Sequence, residues 1–189
     1  MVKGIRLWKE IFRILVERKR AMQLKLTTDY AVRTLMYLAE HPGIVPIAEI
    51  AEAMKIPEKY LNRLGLALRD EGLIVTHRGK NGGYSLGRPP ERIRLYDVVA
   101  LVEGTVALNR CLEEDGYCGR DAAGSCTVYK CYSVMQKKWE NFLKGVTIDS
   151  LLTELSEEEI EKRIENGPVH LVKEKFRDPI FNRKAVGVV

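Results

Sequence analysis

The chain has 189 residues, of which 46% are hydrophobic and 30% charged, enough for one domain core and an appendage. No apolar run approaches the length of a membrane span, and charges interrupt the apolar residues near the N-terminus, unlike in a signal peptide. Residues 1–21 hold seven Lys/Arg and two Glu and so account for the whole net charge of +5, which makes the basic pI no evidence for nucleic-acid binding by the rest. We expect a cytoplasmic protein with no membrane partner.

Residues 1–21 have the pattern of a basic amphipathic helix, because Trp8, Ile11, Phe12 and Leu15 recur at helical spacing. Two interpretations stay open. The segment is an appendage, or an upstream start with the working protein beginning at Met22. Alternatively it is a helix that contacts a partner, a membrane surface or DNA.

Three helices are predicted next, over residues 27–40, 46–54 and 57–72. Thr27 or Thr28 is the expected N-cap of the first. The second and third are short and joined by a tight turn, which is the helix-turn-helix pattern. The outer face of the third is polar and carries the candidate DNA-binding residues Lys59, Asn62 and Arg63.

A β-hairpin is predicted directly after these helices. Residues 73–77 and 84–86 have strand character, and the glycine-rich turn between them needs positive backbone dihedrals. A hairpin after a helix-turn-helix makes a winged helix. Its tip carries Arg78, Lys80 and Asn81, which suit phosphate or minor-groove contacts, although Gly and Asn also serve an ordinary solvated turn.

A short helix over residues 96–103 precedes a loop that holds all four cysteines of the chain: Cys111, Cys118, Cys126 and Cys131. Reduced cytoplasmic thiols that cluster in this way bind metal more often than they form disulfides. The gaps of six, seven and four residues fit neither a zinc ribbon nor the tight bacterial ferredoxin run. The cysteines therefore predict a site for a soft metal ion or a metal cluster, and their spacing does not distinguish between the two.

A long helix is predicted over residues 127–144. A broad stripe recurs along it at spacings of four and three residues, and consists of Val128, Tyr132, Met135, Trp139 and Phe142. Such a stripe favours a dimer interface, with packing onto the same protomer as the alternative. A capping box at Ser156 predicts a short acidic helix ending at Gly167, and residues 169–189 are expected to form a tail.

The predicted fold is mostly α with a small β-hairpin: a winged helix-turn-helix DNA-binding domain plus a long dimerisation helix. The expected division is an N-terminal extension (1–21), the DNA-binding domain (22–95), a short helix and cysteine loop (96–126), the dimerisation helix with its following segment (127–152), and an acidic helix with the tail (153–189).

Several motifs in order resemble the Rrf2 family of bacterial transcription regulators over residues 22–152. They are LKLTTDYAVRTLMYLA from Leu24, RGKNGGYSLGRPPE from Arg78, DVVALVEG from Asp97 and the three-cysteine loop. TTDYAVR and RGKNGG are most similar to the nitric-oxide-sensing branch, with the iron–sulfur biogenesis regulator next. The resemblance implies a homodimer on a double-stranded DNA operator.

The resemblance also implies that Cys111, Cys118 and Cys126 are thiolate ligands of an iron–sulfur cluster. In the nitric-oxide-sensing branch the fourth ligand is an Asp from the other protomer, and Asp29 matches it. The biogenesis regulator uses a His three residues after the third Cys, where this chain has Tyr129. A [4Fe-4S] cluster is therefore preferred over [2Fe-2S].

Two residues depart from the family pattern. Cys131 is an extra thiol, with a small buried residue at the helix seam and a metal-binding or redox residue as its alternatives. Gly65 replaces an apolar residue within the third helix, which predicts local softness or close packing.

The sequence thus predicts a transcriptional repressor or activator whose DNA affinity depends on a cluster that senses nitric oxide or redox state. A [2Fe-2S] redox or cluster-status sensor, a zinc-stabilised regulator and an electron-transfer protein are the alternatives. No enzyme is predicted, since no Ser/His/Asp arrangement stands out and His41, His77 and His170 are scattered.

Overall fold

The computed structural model describes residues 23–122, 125–153 and 156–166, so the predicted helix over residues 1–21 and the tail 169–189 lie outside the described residues. The first part contains α1 (Leu26–Glu40), α2 (Ile47–Met54), α3 (Glu58–Asp70), β1 (Ile74–His77) and β2 (Gly83–Leu86). The rest contains α4 (Leu95–Glu103), α5 (Thr127–Gly145), α6 (Ile148–Leu151) and α7 (Glu157–Asn166), with single 3-10 turns at Pro90–Arg92 and Arg110–Leu112. The prediction of a mostly helical chain with one hairpin is confirmed.

The helix-turn-helix consists of α2 and α3. Lys55 ends α2 in the left-handed conformation with φ of 54°, and the Ile56 N–H donates to the Ala51 carbonyl at 2.9 Å, so the chain reverses within two residues. Periodic apolar residues bury one side of each helix in a common core with α1, formed chiefly by Ala31, Leu35, Leu38, Ile50, Leu61, Leu64 and Leu68. This periodicity is what the sequence predicted.

The wing is an antiparallel hairpin in which Ile74 lies opposite Leu86 and His77 opposite Gly83. Gly79 has φ of 104° at its tip, a conformation that favours glycine. On the other side of β2, Val45 and Tyr84 exchange two backbone hydrogen bonds of 2.8 Å. The segment after α1 therefore fixes the wing against the helices.

The second half of the chain packs on the same core. Leu95 N–H donates to the Val146 carbonyl and Ile148 N–H to the Ile93 carbonyl, both at 2.9 Å, which ties the end of α5 to the start of α4. Ile93 and Ile148 are completely buried in the core that α1–α3 form. The exit from the wing (Ile93), α4 (Val98) and α6 (Ile148) are thus held by one hydrophobic core.

Two predicted helix starts had different outcomes. The capping box at Ser156 is confirmed, because Glu159 N–H donates to Ser156 Oγ while the Ser156 N–H donates to the Glu159 carboxylate at 2.8 Å. The predicted N-cap of α1 is wrong. α1 begins at Leu26 after Lys25, whose side chain makes no capping hydrogen bond, and Thr28 is engaged instead with a residue far along the chain.

Candidate nucleic-acid interface and cysteine loop

α3 separates a buried face from a polar one. Leu61, Leu64 and Leu68 face the core, and the predicted DNA-binding residues Lys59, Asn62 and Arg63 are all exposed on the opposite side. Asn62 Nδ2 donates to the Glu58 carbonyl one turn earlier at 3.0 Å, which holds that side chain along the helix. Among the described residues, this polar face of α3 is therefore open to solvent.

The tip of the wing presents the other predicted DNA-binding residues. Arg78, Lys80 and Asn81 are exposed around Gly79. At the base of the tip, the His77 ring Nε2 lies 2.9 Å from Ser85 Oγ across the two strands. Two cationic groups thus project from a hairpin whose base is hydrogen-bonded.

Gly65 is explained by close packing. A Cβ on this residue would lie 2.1 Å from the hydroxyl oxygen of Tyr84 and 2.5 Å from its ring Cζ. Tyr84 is itself 2% exposed, so its ring has no room to swing away, and burial raises the pKa of its hydroxyl. The glycine lets the ring of a wing residue lie directly on α3.

The cysteine loop follows α4, with Cys111 in the 3-10 turn Arg110–Leu112. Its first half is braced by a bidentate ion pair between Arg110 and Asp115. This hydrogen-bonded guanidinium lowers the pKa of Asp115 to about 2. Cys111, Cys118 and Cys126 are each half-buried and make no disulfide.

Backbone N–H groups lie around two of these sulfur atoms. Tyr129 N–H donates to Cys126 Sγ at 3.4 Å at the start of α5. Hydrogen bonds from the backbone of Ala122 and Arg120 lower the pKa of the Cys118 thiol. N–H donation of this kind favours the thiolate, which is the form that binds metal.

Glu103, the last residue of α4, binds the start of α1. Its Oε1 accepts from the Lys25 N–H at 2.7 Å and from the Thr28 hydroxyl at 2.5 Å, and its Oε2 lies 3.2 Å from Lys25 Nζ. Desolvation raises the pKa of Glu103, but the hydrogen bonds from Thr28 and Lys25 outweigh it, and the pKa falls below its usual value. A carboxylate from a distant helix thus satisfies a backbone donor at the start of α1.

The same turn of α1 contacts the helix-turn-helix. Thr27 Oγ1 hydrogen-bonds to the Tyr60 hydroxyl, and the Tyr30 and Tyr60 rings meet edge to face with centroids 5.5 Å apart. Because Tyr60 lies in the first turn of α3, the start of α1 connects the end of α4 to the start of α3. Asp29 lies in this turn and pairs with Arg33.

Comparison with known proteins identifies the chain. A family model described as "Rrf2: Iron-dependent Transcriptional regulator" matches residues 24–154. The chain belongs to the Rrf2 family. It is 32% identical to the HTH-type transcriptional regulator IscR of Xenorhabdus nematophila over 133 residues, which cover 69% of this chain and 79% of that protein.

Solved structures of transcriptional regulators share the overall fold of this chain. The T. potens IscR structure matches with a TM-score of 0.54 and 26% identity, and covers 70% of this chain and 87% of that one. CymR of B. subtilis, titled the global cysteine regulator, has a TM-score of 0.53 at 24% identity, covers 69% and 95% of the two chains, and supports the fold alone. The protein is a winged helix-turn-helix transcriptional regulator and not an enzyme, since its relatives are regulators. No helix in the described part of the chain is long and apolar enough to cross a membrane.

The thiols of the cysteine loop are chemically suited to binding a metal, but the described part of the chain does not bring them together into a site. Three half-buried thiols, two of them with N–H donors on sulfur, are suitable ligands for an iron–sulfur cluster. Yet among residues 23–122, 125–153 and 156–166, no three Cys, His, Asp or Glu side chains come together closely enough to hold a metal. The predicted ligand Asp29 lies at the α1 junction instead.

The apolar stripe predicted to form a dimer interface lies along the solvent-facing side of α5. Val128 and Met135 are 55% and 45% exposed, and Tyr132, Trp139 and Phe142 are half-buried, with the last two rings stacked. The inner side of α5 is different. There Leu143 is buried, and the buried Gln136 side chain accepts from Leu108 N–H and donates to the Val106 carbonyl, which fastens the segment before Cys111. Cys131 is exposed on the stripe side.

Two residues that the sequence did not single out are central to this geometry. Glu103 and Tyr60 join α4, α1 and α3 through contacts across 75 and 33 residues, respectively. A weak signal for Glu103 existed, because a carboxylate in the last turn of a helix opposes the helix dipole and needs another partner. Nothing in the local sequence around Tyr60 marks it.

Proposed function

We propose that the protein is a homodimeric regulator of transcription whose affinity for operator DNA is set by an iron–sulfur cluster. Cys111, Cys118 and Cys126 would hold the cluster, with Asp29 of the other protomer as fourth ligand. The observation that carries the proposal is the junction at the start of α1. The first turn of α1 holds the proposed fourth ligand, Asp29. The same part of the chain contacts Glu103 at the end of α4, which leads into the cysteine loop, and Tyr60 at the start of α3.

The contacts at the start of α1 would couple the cluster to the position of α3. A carboxylate that leaves Arg33 for a site on the partner would pull on the first turn of α1. Thr27 would transmit this to Tyr60 and hence to the angle of α3, while Thr28 would transmit it to Glu103 and the loop. Two such junctions, related by the two-fold axis, would set the spacing of the two α3 helices on adjacent half-sites.

A mixed ligand set determines what the site would sense. Three thiolates and one carboxylate would leave one iron with an oxygen ligand, which is where nitric oxide or oxygen would react. The proposed cluster is [4Fe-4S], since Tyr129 stands where the cluster-biogenesis regulator has its His. Thiols that hold a cluster must stay reduced, which fits a cytoplasmic protein.

A second candidate is a [2Fe-2S] redox or cluster-status sensor. Its support is that relatives with about a third of their residues in common carry the name IscR. In that case Asp29 would not be a ligand, and another group would complete the site beside the three thiolates. DNA binding by α3 and the wing is common to both candidates.

Anaerobic purification followed by titration with nitric oxide tests the proposal. The readouts are the visible absorbance of the protein and its retention of a duplex carrying its own promoter region. We expect a broad absorbance that bleaches with nitric oxide as DNA affinity changes. A multi-peaked spectrum that responds to reductant but not to nitric oxide would favour the second candidate. A colourless, zinc-containing protein would refute the cluster while leaving the winged helix in place.

Matched variants sharpen the assignment of Asp29. Asp29→Ala removes the proposed ligand, whereas Arg33→Ala keeps that carboxylate and removes its ion-pair partner, together with a hydrogen bond from Arg33 to the Met54 carbonyl. We expect the first variant to lose cluster stability and the nitric-oxide response of DNA binding, and the second to keep both. Equal loss in the two variants would point to the ion pair, and no loss in Asp29→Ala would exclude the ligand.

A further inference from the structure

Leu66 is an apolar residue in the middle of the polar face of α3. Its side chain is 53% exposed, whereas Leu61, Leu64 and Leu68 of the same helix are buried. It lies four residues after Asn62 and three after Arg63, so all three share one face of the helix.

Single exposed leucines are common on protein surfaces and carry no information by themselves. Leu66 differs by its surroundings. Lys59, Asn62 and Arg63, one or two turns earlier on the same face, are exposed groups able to bind phosphates and base edges. The Gly65–Tyr84 contact lies directly behind it and fixes this part of α3 against the wing, so Leu66 is held at a defined depth.

The major groove offers one apolar group on its floor, the 5-methyl group of thymine. A helix-turn-helix inserts its second helix into that groove with the N-terminal half against the bases. The exposed face of α3 would thus bring polar groups of its first half to the base edges, with the apolar side chain of Leu66 following within one turn on the same face.

We propose that Leu66 is a specificity-determining residue that packs against the methyl group of a thymine in each half-site. This rests on the DNA-binding part of the proposed function and is independent of the cluster. The neighbouring polar residues would hold the helix on the backbone and read hydrogen-bonding edges, while Leu66 would favour one T·A pair by excluding water from its methyl group.

The test begins with the full-length protein, in both its metal-loaded and metal-free forms, and a pool of random-sequence duplexes from which bound DNA is selected. Each thymine of the selected half-site is then replaced in turn by deoxyuridine, which lacks only the methyl group. We expect one replacement to weaken binding of the wild type by roughly fourfold per half-site, the effect of exposing one methyl group to water.

Variants assign this effect to Leu66. Leu66→Ala should bind the original duplex more weakly and be indifferent to deoxyuridine at that position. Leu66→Met, which keeps an apolar side chain, should remain sensitive. Ile44→Ala, which truncates a comparably exposed apolar residue outside α3, should behave as the wild type.

Two results would overturn the proposal while DNA binding stands. One is a selected site at which no thymine responds to loss of its methyl group. The other is a methyl effect that persists unchanged in Leu66→Ala, which would place another group against that base. A selection that enriches no sequence would overturn the inference together with the DNA-binding proposal, and is distinguishable from both.

Discussion

At the scale of single residues, Glu103 shows how one carboxylate joins two distant helices. We expect Glu103→Gln to lower the free energy of unfolding at neutral pH by about 1 kcal/mol, because its hydrogen bonds to Lys25 N–H and Thr28 lose their charge. The Lys25 ammonium is 55% exposed and adds little. Urea unfolding of the two proteins measures the difference, and Glu52→Gln, which changes an exposed carboxylate of α2, is the matched control.

The difference in stability between the wild type and Glu103→Gln should depend on pH. The pKa of Glu103 is lowered from 4.5 by folding, so its contribution to stability is complete above that pH and is lost as pH falls through the lowered value. The advantage of the wild type over Glu103→Gln should therefore shrink as the pH falls below 4.5 and through the lowered pKa. An advantage that stays constant over this range would mean that the charge of Glu103 contributes nothing to the contact.

The four cysteines divide into a predicted ligand set and one residue outside it. We expect Cys111→Ser, Cys118→Ser and Cys126→Ser each to lose iron, sulfide and visible absorbance after anaerobic purification, because a serine hydroxyl is a poor replacement for a thiolate ligand. Cys131→Ser is the internal control and should keep all three, since it changes an exposed thiol one turn into α5. Loss of the cluster in Cys131→Ser would place that residue among the ligands.

At the scale of elements, the contact between α3 and the wing depends on the absence of a side chain at Gly65. We expect Gly65→Ala to destabilise the protein by about 1–3 kcal/mol, because overpacking against the buried Tyr84 ring outweighs the better helix propensity of alanine. In a Tyr84→Leu background the same substitution should cost about 1 kcal/mol less, a coupling that a double-mutant cycle measures.

Gly145→Ala is the matched control for this prediction. Gly145 also lies in a helix, but a Cβ there would meet no atom within 4 Å. Alanine at this position should leave the free energy of unfolding unchanged or raise it by up to about 1 kcal/mol. If both glycine substitutions stabilise the protein alike, the packing of Tyr84 on α3 is not tight.

The elements differ in how far the sequence could predict them. α2, α3 and the wing follow from local patterns, namely apolar spacing, a tight turn and a glycine-rich tip, so they were predicted with their exposed polar residues. The predicted N-cap of α1 is wrong because the Thr28 hydroxyl donates to Glu103, 75 residues away. No local sequence pattern indicates such a contact. The reason for Gly65 likewise requires knowing that Tyr84 folds back over α3.

At the scale of the whole molecule, the proposed site requires two chains. One chain holds the half-buried thiols on its loop, while its own Asp29 is paired with Arg33 at the start of α1. In the proposed dimer, the exposed stripe of α5 would provide the surface through which a second copy brings its Asp29 to that loop. Dimerisation would then be a condition for the metal site as well as for binding two half-sites of DNA.

Mixed dimers test this arrangement directly. In a heterodimer of Asp29→Ala and Cys118→Ser chains, purified through two different tags, a site shared between protomers would be complete once and defective once. We expect such heterodimers to hold about half the iron of the wild type, whereas each parent homodimer holds none. A heterodimer of Cys118→Ser and Cys126→Ser is the control and should hold none, because each loop then lacks a thiolate. If the first heterodimer is also empty, Asp29 does not reach the partner's loop, and a ligand from the same chain must complete the site.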